Sequence, residues 1–135
     1  MVLLEERQTR GFERVALPCG LDRRILFLED QDRKMLEFTV QGTMTRRQAA
    51  MLLGLSHGTV TRRIHRLMRR LHDPVVVALV EGGKLLPELH QEVGLAYFLR
   101  AWPIRRIARE YGLTVYEVKR MITYVRGWHE AMKGR

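Results

Sequence analysis

The chain repeats one pattern at an interval of 58 residues, and this repeat limits its possible folds more than any other feature. Residues 49–56 (AAMLLGLS) parallel residues 107–114 (IAREYGLT), and Val60 and Ile64 are matched by Val118 and Ile122. Each copy places a small residue before a glycine, a capping Ser or Thr after it, and then apolar residues at helical spacing. The pattern predicts two helices joined by a tight turn, which is the spacing of a helix-turn-helix.

The same offset maps residues 32–41 onto residues 90–99, so each unit is expected to have three helices. We predict an all-α fold of tandem three-helix helix-turn-helix units joined by a short helical linker. The predicted divisions are an N-terminal segment at residues 1–29, a first unit at 30–72, a linker helix and loop at 73–87, and a second unit at 88–135. Within residues 15–28, a small hairpin and a short helix capped by Asp22 both fit the pattern, and the helical context favours the helix.

Capping residues and glycines set the predicted helix boundaries. We expect helices at residues 31–41, 46–53, 57–71, 74–80, 88–101, 103–111 and 115–131, with Asp30, Thr45, Ser56, Asp73 and Thr114 as N-caps. Residues 75–80 are apolar and mostly β-branched, so a strand remains an alternative there. Leu52 and Leu53 are expected to point inward with Ala49 and Ala50.

Positive charge is concentrated on the two copies of the repeat. The formal net charge is +9, and the isoelectric point is near 10.6. Residues 44–71 contain seven arginines and no acid, and residues 100–135 contain nine Lys or Arg against three Glu. Residues 72–92, between them, contain four acids and one lysine. This segregation favours an anionic partner, and nucleic acid is the first candidate.

The outer face of each second helix is the candidate DNA-reading surface, because the major groove admits an α-helix. Arg62 is the first candidate for a guanine contact, since its fork matches O6 and N7, and Arg120 takes its place in the second copy. The predicted contact residues of the first copy are Arg46, Arg47, Ser56, His57, Thr59, Thr61, Arg62, Arg63 and Arg66. Those of the second copy are Arg105, Tyr116, Lys119, Arg120 and Thr123.

Within this set, His57 and Thr61 are candidates for reading base edges, as Arg62 is. Other side chains are better placed to contact phosphates, which position a protein without reading sequence. The predicted phosphate contacts are Ser56, Arg46, Arg47, Arg69 and Arg70.

The first copy resembles region four of bacterial sigma factors and its relatives. The residues that carry the resemblance are 32–36 (DRKML), 42–45 (GTMT), 49–60 (AAMLLGLSHGTV) and 64–66 (IHR), and the second copy follows more loosely. Members of that family insert the second helix into the promoter's upstream element and dock on RNA polymerase. The resemblance implies a DNA-reading role for the helix that starts at Ser56, with reading positions at His57, Gly58, Thr61 and Arg62.

We therefore expect a sequence-specific double-stranded DNA-binding protein, a transcriptional regulator without enzymatic activity or a cofactor. One alternative is a protein-interaction module that binds RNA polymerase or another regulator through the acidic segment and the apolar residues 75–80. A further alternative is a viral DNA-packaging or replication adaptor. The operator, the sign of regulation and the oligomeric state stay open.

Other classes of site have little support in the sequence. His57, His65 and His72 are spaced along roughly one side of a helix, but no Cys or acid completes a zinc site. No apolar run approaches the roughly 20 residues of a membrane span. The lone Cys19 fits a reducing compartment, so a cytoplasmic protein without a membrane partner is expected.

Overall fold

The structure is a computed structural model that describes residues 20–40 and 42–134. Over these residues the prediction of an all-α fold is confirmed. The helices are α1 (Leu21–Ile25), α2 (Asp30–Val40), α3 (Arg46–Leu53), α4 (His57–Leu71), α5 (Pro74–Gly82), α6 (Glu88–Phe98), α7 (Ile104–Tyr111) and α8 (Val115–Lys133), with a 3-10 turn at Gly83–Leu85. The chain divides into two compact units, Met1–Arg69 and Arg70–Arg135, so the boundary falls in the last turn of α4.

In the first unit, each of the four helices buries apolar side chains. The predicted stripe of α4 is buried through Val60, Ile64 and Leu67, which recur at the spacing of one helix face. The stripe shares the interior of the unit with Leu21, Ile25, Leu28, Met35, Leu36, Ala49 and Ala50. Burial of these side chains is the main source of stability for helices this short.

Two predicted features at the start of this unit are corrected. Helix α2 begins at Asp30 itself, because the carbonyl of Glu29 already accepts the Arg33 N–H at 2.8 Å. Asp30 is therefore in the first turn, where its carboxylate pairs with Arg33 at 3.0 Å, and it is not the cap. Asp22 likewise lies inside α1, which starts after Gly20. The hairpin alternative placed residues 25–28 in a strand, but they form the end of α1 and a turn; its residues 15–19 lie outside the described residues.

The predicted caps of α3 and its glycine turn are confirmed. Thr45 Oγ1 accepts the Gln48 N–H at 3.0 Å, and Gln48 Oε1 accepts the Thr45 N–H at 2.9 Å, so the two residues form a capping box. Gly54 follows the helix at a φ of 71°, a conformation that is costly for residues with a Cβ. The Leu55 N–H then donates to the Ala50 carbonyl at 2.9 Å, which closes the turn.

In the second unit, the segment predicted to be a linker is part of the core. Asp73 caps α5 by accepting the Val75 N–H at 3.0 Å, with Pro74 at the first helical position, so residues 75–80 are helix and the strand alternative is wrong. Val76 and Leu79 are buried, and α5 packs on α6 and α8. β-branched residues lower helix propensity only slightly, so a helix that is capped and buried can contain several of them.

Helices α6, α7 and α8 pack on one another in the second unit. Helix α6 ends at Phe98, three residues earlier than predicted, and Ala101 then adopts a positive φ of 59°. Thr114 and Glu117 form a capping box at α8, as Thr45 and Gln48 do at α3. The buried cluster contains Val93, Ala96, Ile107, Ala108, Val118 and Ile122. Trp102 packs against this cluster.

Candidate nucleic-acid interface

The outward face of α4 is basic and exposed. Its buried side chains leave the opposite side of the helix to solvent, and the exposed residues there are His57, Gly58, Arg62, His65, Arg66 and Arg69. Helix α4 contains no acidic residue. The arrangement gives one helix face on which predicted base-reading and phosphate-binding residues lie together.

The N-terminus of α4 is held by a small hydrogen-bond network. Ser56 Oγ accepts the Thr59 N–H at 3.1 Å, which confirms Ser56 as the cap, and it donates to Thr59 Oγ1 at 2.8 Å. Arg62 Nη2 donates to the same Thr59 Oγ1 at 3.3 Å. The Ser56 hydroxyl, predicted to contact a phosphate, is therefore already used in capping the helix.

Thr61 does not belong to the outward face, which corrects the prediction that it reads bases. Its Oγ1 is buried and has no hydrogen-bond partner within the described residues. Thr61 lies three residues before Ile64, so it borders the buried stripe of α4. A buried hydroxyl cannot reach a base edge in the groove without a change in the fold.

Arg63 is also turned away from the outward face. Its Nε lies 3.7 Å from Asp32 Oδ1, so the predicted DNA contact is directed to the acidic N-terminus of α2. The two residues line a depression there together with Glu29, Asp30 and Gln31. An anion of DNA would meet three carboxylates at this place, which makes Arg63 a poor phosphate contact.

Three predicted residues from two helices meet in one basic depression of about 470 Å³ in the first unit. Arg46 and Arg47 begin α3, and His57 begins α4, so the N-terminal ends of both helices contribute. Thr39, Met44 and Thr45 complete the lining. The arginines and the helix N-termini give this depression a positive potential that suits a phosphate.

The five predicted contact residues of the second copy are all exposed, on α7 and α8. Their surroundings differ from those in the first copy. The guanidinium carbon of Arg120 lies 5.8 Å from the ring centre of Tyr116, and Glu117 Oε1 accepts the Thr114 N–H at 2.8 Å. This outward face therefore presents an aromatic ring and a carboxylate next to its arginine.

His90 and Tyr124, which lie near Arg120, had no predicted role. A cavity of about 260 Å³ is lined by His90, Glu117, Arg120, Met121 and Tyr124. The rings of His90 and Tyr124 meet edge to face with centres 4.8 Å apart. His90 lies on α6 and Tyr124 on α8, and no short-range sequence pattern links positions so far apart.

Arg70 is not a free phosphate contact. Its Nε donates to the Leu99 carbonyl at 2.7 Å, where it satisfies a backbone acceptor at the end of α6. The prediction for Arg70 is therefore corrected, whereas Arg69 remains on the exposed face.

The exposed apolar surface of the first unit was not foreseen. Leu52 and Leu53, expected inside, are exposed, and Leu52 has 69% of its surface accessible. Phe38 lines the same cavity as Leu52 and Leu53, and Met51 precedes them in α3; we term these four exposed residues the α3 apolar surface. It borders a cavity of about 260 Å³ lined by Gln31, Lys34, Met35, Phe38, Met44, Ala49, Leu52 and Leu53. Exposed apolar groups gathered in one place are typical of sites for protein partners.

Two kinds of feature are absent from the part of the chain that the structure describes. No group of three or more His, Cys, Asp or Glu side chains there could hold a metal ion. None of the helices in residues 20–40 and 42–134 is both long enough and apolar enough to cross a bilayer.

Comparisons with models of protein families, with curated proteins and with solved structures give no match to this chain.

Proposed function

We propose that this chain is a sequence-specific double-stranded DNA-binding protein that regulates transcription, with α4 as the helix that lies in the major groove. The observation that carries the proposal is the exposed, acid-free face of α4, on which His57, Arg62 and Arg66 lie together. The positive charges on such a face repel one another, and binding of a polyanion relieves this repulsion. The likeness of its sequence to sigma region four supports the same assignment. The single cysteine in the sequence agrees with a cytoplasmic location.

Phosphate binding is proposed for the depression where Arg46, Arg47 and His57 meet. Charges at two helix N-termini would fix α4 against the DNA backbone, while Arg62 reads a base pair. Helix α8 is proposed as an auxiliary element that either contacts a second half-site or belongs to a structural or protein-contact domain. Its exposed Tyr116 and Glu117 make it the less suitable of the two for a phosphate-lined groove.

Selection of bound duplexes from a random pool tests the proposal. We expect one enriched motif of roughly ten base pairs or fewer, about one helical turn, if α4 alone reads the sequence. Two motifs at fixed spacing would indicate that α8 reads DNA as well. A pool without enrichment, or equal affinity for all duplexes, would contradict sequence-specific binding.

Salt dependence then separates phosphate contacts from base contacts. A plot of log K against log salt should have a slope of about −0.9 per phosphate neutralised. Arg46→Ala should make this slope shallower by the contribution of about one phosphate contact. Its loss of affinity should be the same for selected and random duplexes. Lys84→Ala, an exposed change in the acidic segment, is the matched control and should leave the slope unchanged.

The α3 apolar surface favours a second candidate function, binding to RNA polymerase or another regulator. Residues 75–80 are not a suitable contact because Val75, Val76 and Leu79 are buried, whereas Met51 and Leu52 are exposed. We propose this surface as the contact for such a partner. A polymerase complex should form without DNA, survive Arg62→Ala and disappear with Leu52→Asp. Loss with Arg62→Ala and retention with Leu52→Asp would contradict the candidate.

A further inference from the structure

The side chain of Arg62 is held in one direction along α4. Its Nη2 donates to Thr59 Oγ1, and its Nη1 lies where a Cβ added to Gly58 would be only 3.3 Å away. Both neighbours precede Arg62 by about one turn, so the guanidinium lies over the first turn of the helix. A free arginine on a helix surface samples many rotamers, which the hydrogen bond to Thr59 restricts.

The Thr59 hydroxyl connects Arg62 to the helix cap. Its oxygen accepts hydrogen bonds from Ser56 Oγ at 2.8 Å and from Arg62 Nη2 at 3.3 Å, which uses both lone pairs. Ser56 in turn accepts the Thr59 N–H. The network that fixes the start of α4 therefore also fixes the guanidinium, and Thr59 retains only its proton for a contact with DNA.

The second copy shows what changes when the neighbouring residues change. The 58-residue offset maps Gly58 onto Tyr116, Thr59 onto Glu117 and Arg62 onto Arg120. Arg120 again lies near the residue four positions before it, but that residue is now a tyrosine ring, 5.8 Å away. Gly58 thus leaves the edge of the Arg62 guanidinium open, at a position where α8 carries an aromatic side chain.

We propose that Thr59 is a positioning residue for Arg62, which holds its fork over the first turn of α4, ready for one base pair, and that Gly58 leaves open the space the fork occupies. This inference rests on the proposed function, in which α4 lies in the major groove. Ordering a long side chain before binding is worth about two- to tenfold in affinity. The gain applies only to the base pair that matches the fork, so it appears as sequence preference.

Isosteric variants of Thr59 test the inference in the full chain. Thr59→Val removes the acceptor and keeps the shape, while Thr59→Ser keeps the hydroxyl. Affinity is measured for the selected duplex and for the same duplex changed at the base pair where Arg62→Ala relaxes preference. We expect Thr59→Val to lower that preference by about two- to tenfold and Thr59→Ser to retain most of it.

A double variant distinguishes positioning from direct contact. If Thr59 acts through Arg62, Thr59→Val should cause no further loss of preference in an Arg62→Ala background. Additive losses would show that Thr59 contacts DNA itself and would overturn the inference. Gly58→Tyr, which reproduces the arrangement of α8, should also lower the preference; an unchanged preference would overturn the role of Gly58. Thermal unfolding of each variant identifies any that fails to fold.

A measurement without DNA separates this inference from the proposed function. The side-chain Nε–Hε relaxation of Arg62 should report an ordered guanidinium in the wild type and in Thr59→Ser, and a mobile one in Thr59→Val. Equal mobility in all three would overturn the inference and leave the proposed function intact. A wild-type chain that selects no duplex would instead overturn the proposed function, and the inference with it.

Discussion

Helices α4 and α8 hold equivalent places in the two copies of the repeat and present different chemistry to solvent. Both follow a glycine at positive φ and start at a capping hydroxyl residue, and both bury an apolar stripe. On the exposed side, Arg62 lies over Gly58, whereas Arg120 lies beside the ring of Tyr116. The residues on the two sides of such a helix can therefore change independently. Those on the buried side maintain the packing of the unit, and those on the exposed side can gain or lose a binding function.

The largest expected effects concern the shared frame. Ile64 and Ile122 are 2% and 4% exposed, so Ile64→Ala and Ile122→Ala should each lower the free energy of unfolding by about 2–5 kcal/mol, through lost burial and a cavity. Amide hydrogen exchange in α4 and α8 measures each loss locally. Leu52→Ala, at an exposed site, should change stability by only about 0.5 kcal/mol. A small loss at one isoleucine alone would show that the two frames are not equivalent.

The next effect concerns the surfaces on which the helices differ. Arg62→Ala should weaken binding to the selected duplex by about 1–3 kcal/mol, since it removes a base contact, and should weaken random duplexes much less. Arg120→Ala should cost less for the selected duplex, because that arginine lies beside Tyr116. Titrations with both duplexes measure the difference. Equal losses for Arg62→Ala on the two duplexes would remove it from the reading residues.

The glycine turns should again behave alike. Gly54 and Gly112 have φ values of 71° and 66°, and an added Cβ would meet no atom within 4 Å at either site. Gly54→Ala and Gly112→Ala should therefore each cost about 1–2 kcal/mol of stability, from backbone conformation alone. Chemical denaturation measures both. A cost at only one turn would mean that the other relaxes to a different conformation.

The smallest expected effect has the opposite sign. Gly127 lies inside α8, its φ is not positive, and an added Cβ would meet nothing within 4 Å. Gly127→Ala should raise stability by about 0.4–1 kcal/mol, because it reduces the freedom of the unfolded chain. Thermal unfolding of the variant measures this gain. A loss of stability would show that α8 needs the flexibility of glycine at this point.

Features set by near neighbours were predictable from the sequence. The caps at Thr45, Asp73 and Thr114 each depend on a residue two or three positions ahead, and their hydrogen bonds are present as expected. The same local rule places Arg63 next to the buried stripe, since it lies three residues after Val60 and four before Leu67. Helical spacing separates Arg63 from Arg62, which lies two residues from Val60 and on the opposite side of the helix.

Features set by distant partners were not predictable in this way. Whether Leu52 and Leu53 are covered depends on what packs against the short helix α3, and the composition of that helix does not reveal it. Arg70 is directed to the carbonyl of Leu99, 29 positions away in the sequence. The contact of His90 with Tyr124 is equally remote. Such contacts follow from tertiary packing, which charge and periodicity along the chain do not predict directly.

The α3 apolar surface has a chemical consequence through Met51. This thioether is 79% exposed, so an oxidant reaches its sulfur without any unfolding of the chain. Conversion to the sulfoxide would place a polar, chiral group beside Leu52, while the buried Ala49 and Ala50 would keep α3 on its core. The affinity of this surface for an apolar partner would then depend on the redox state of its surroundings. Enzymatic reduction of the sulfoxide would restore that affinity.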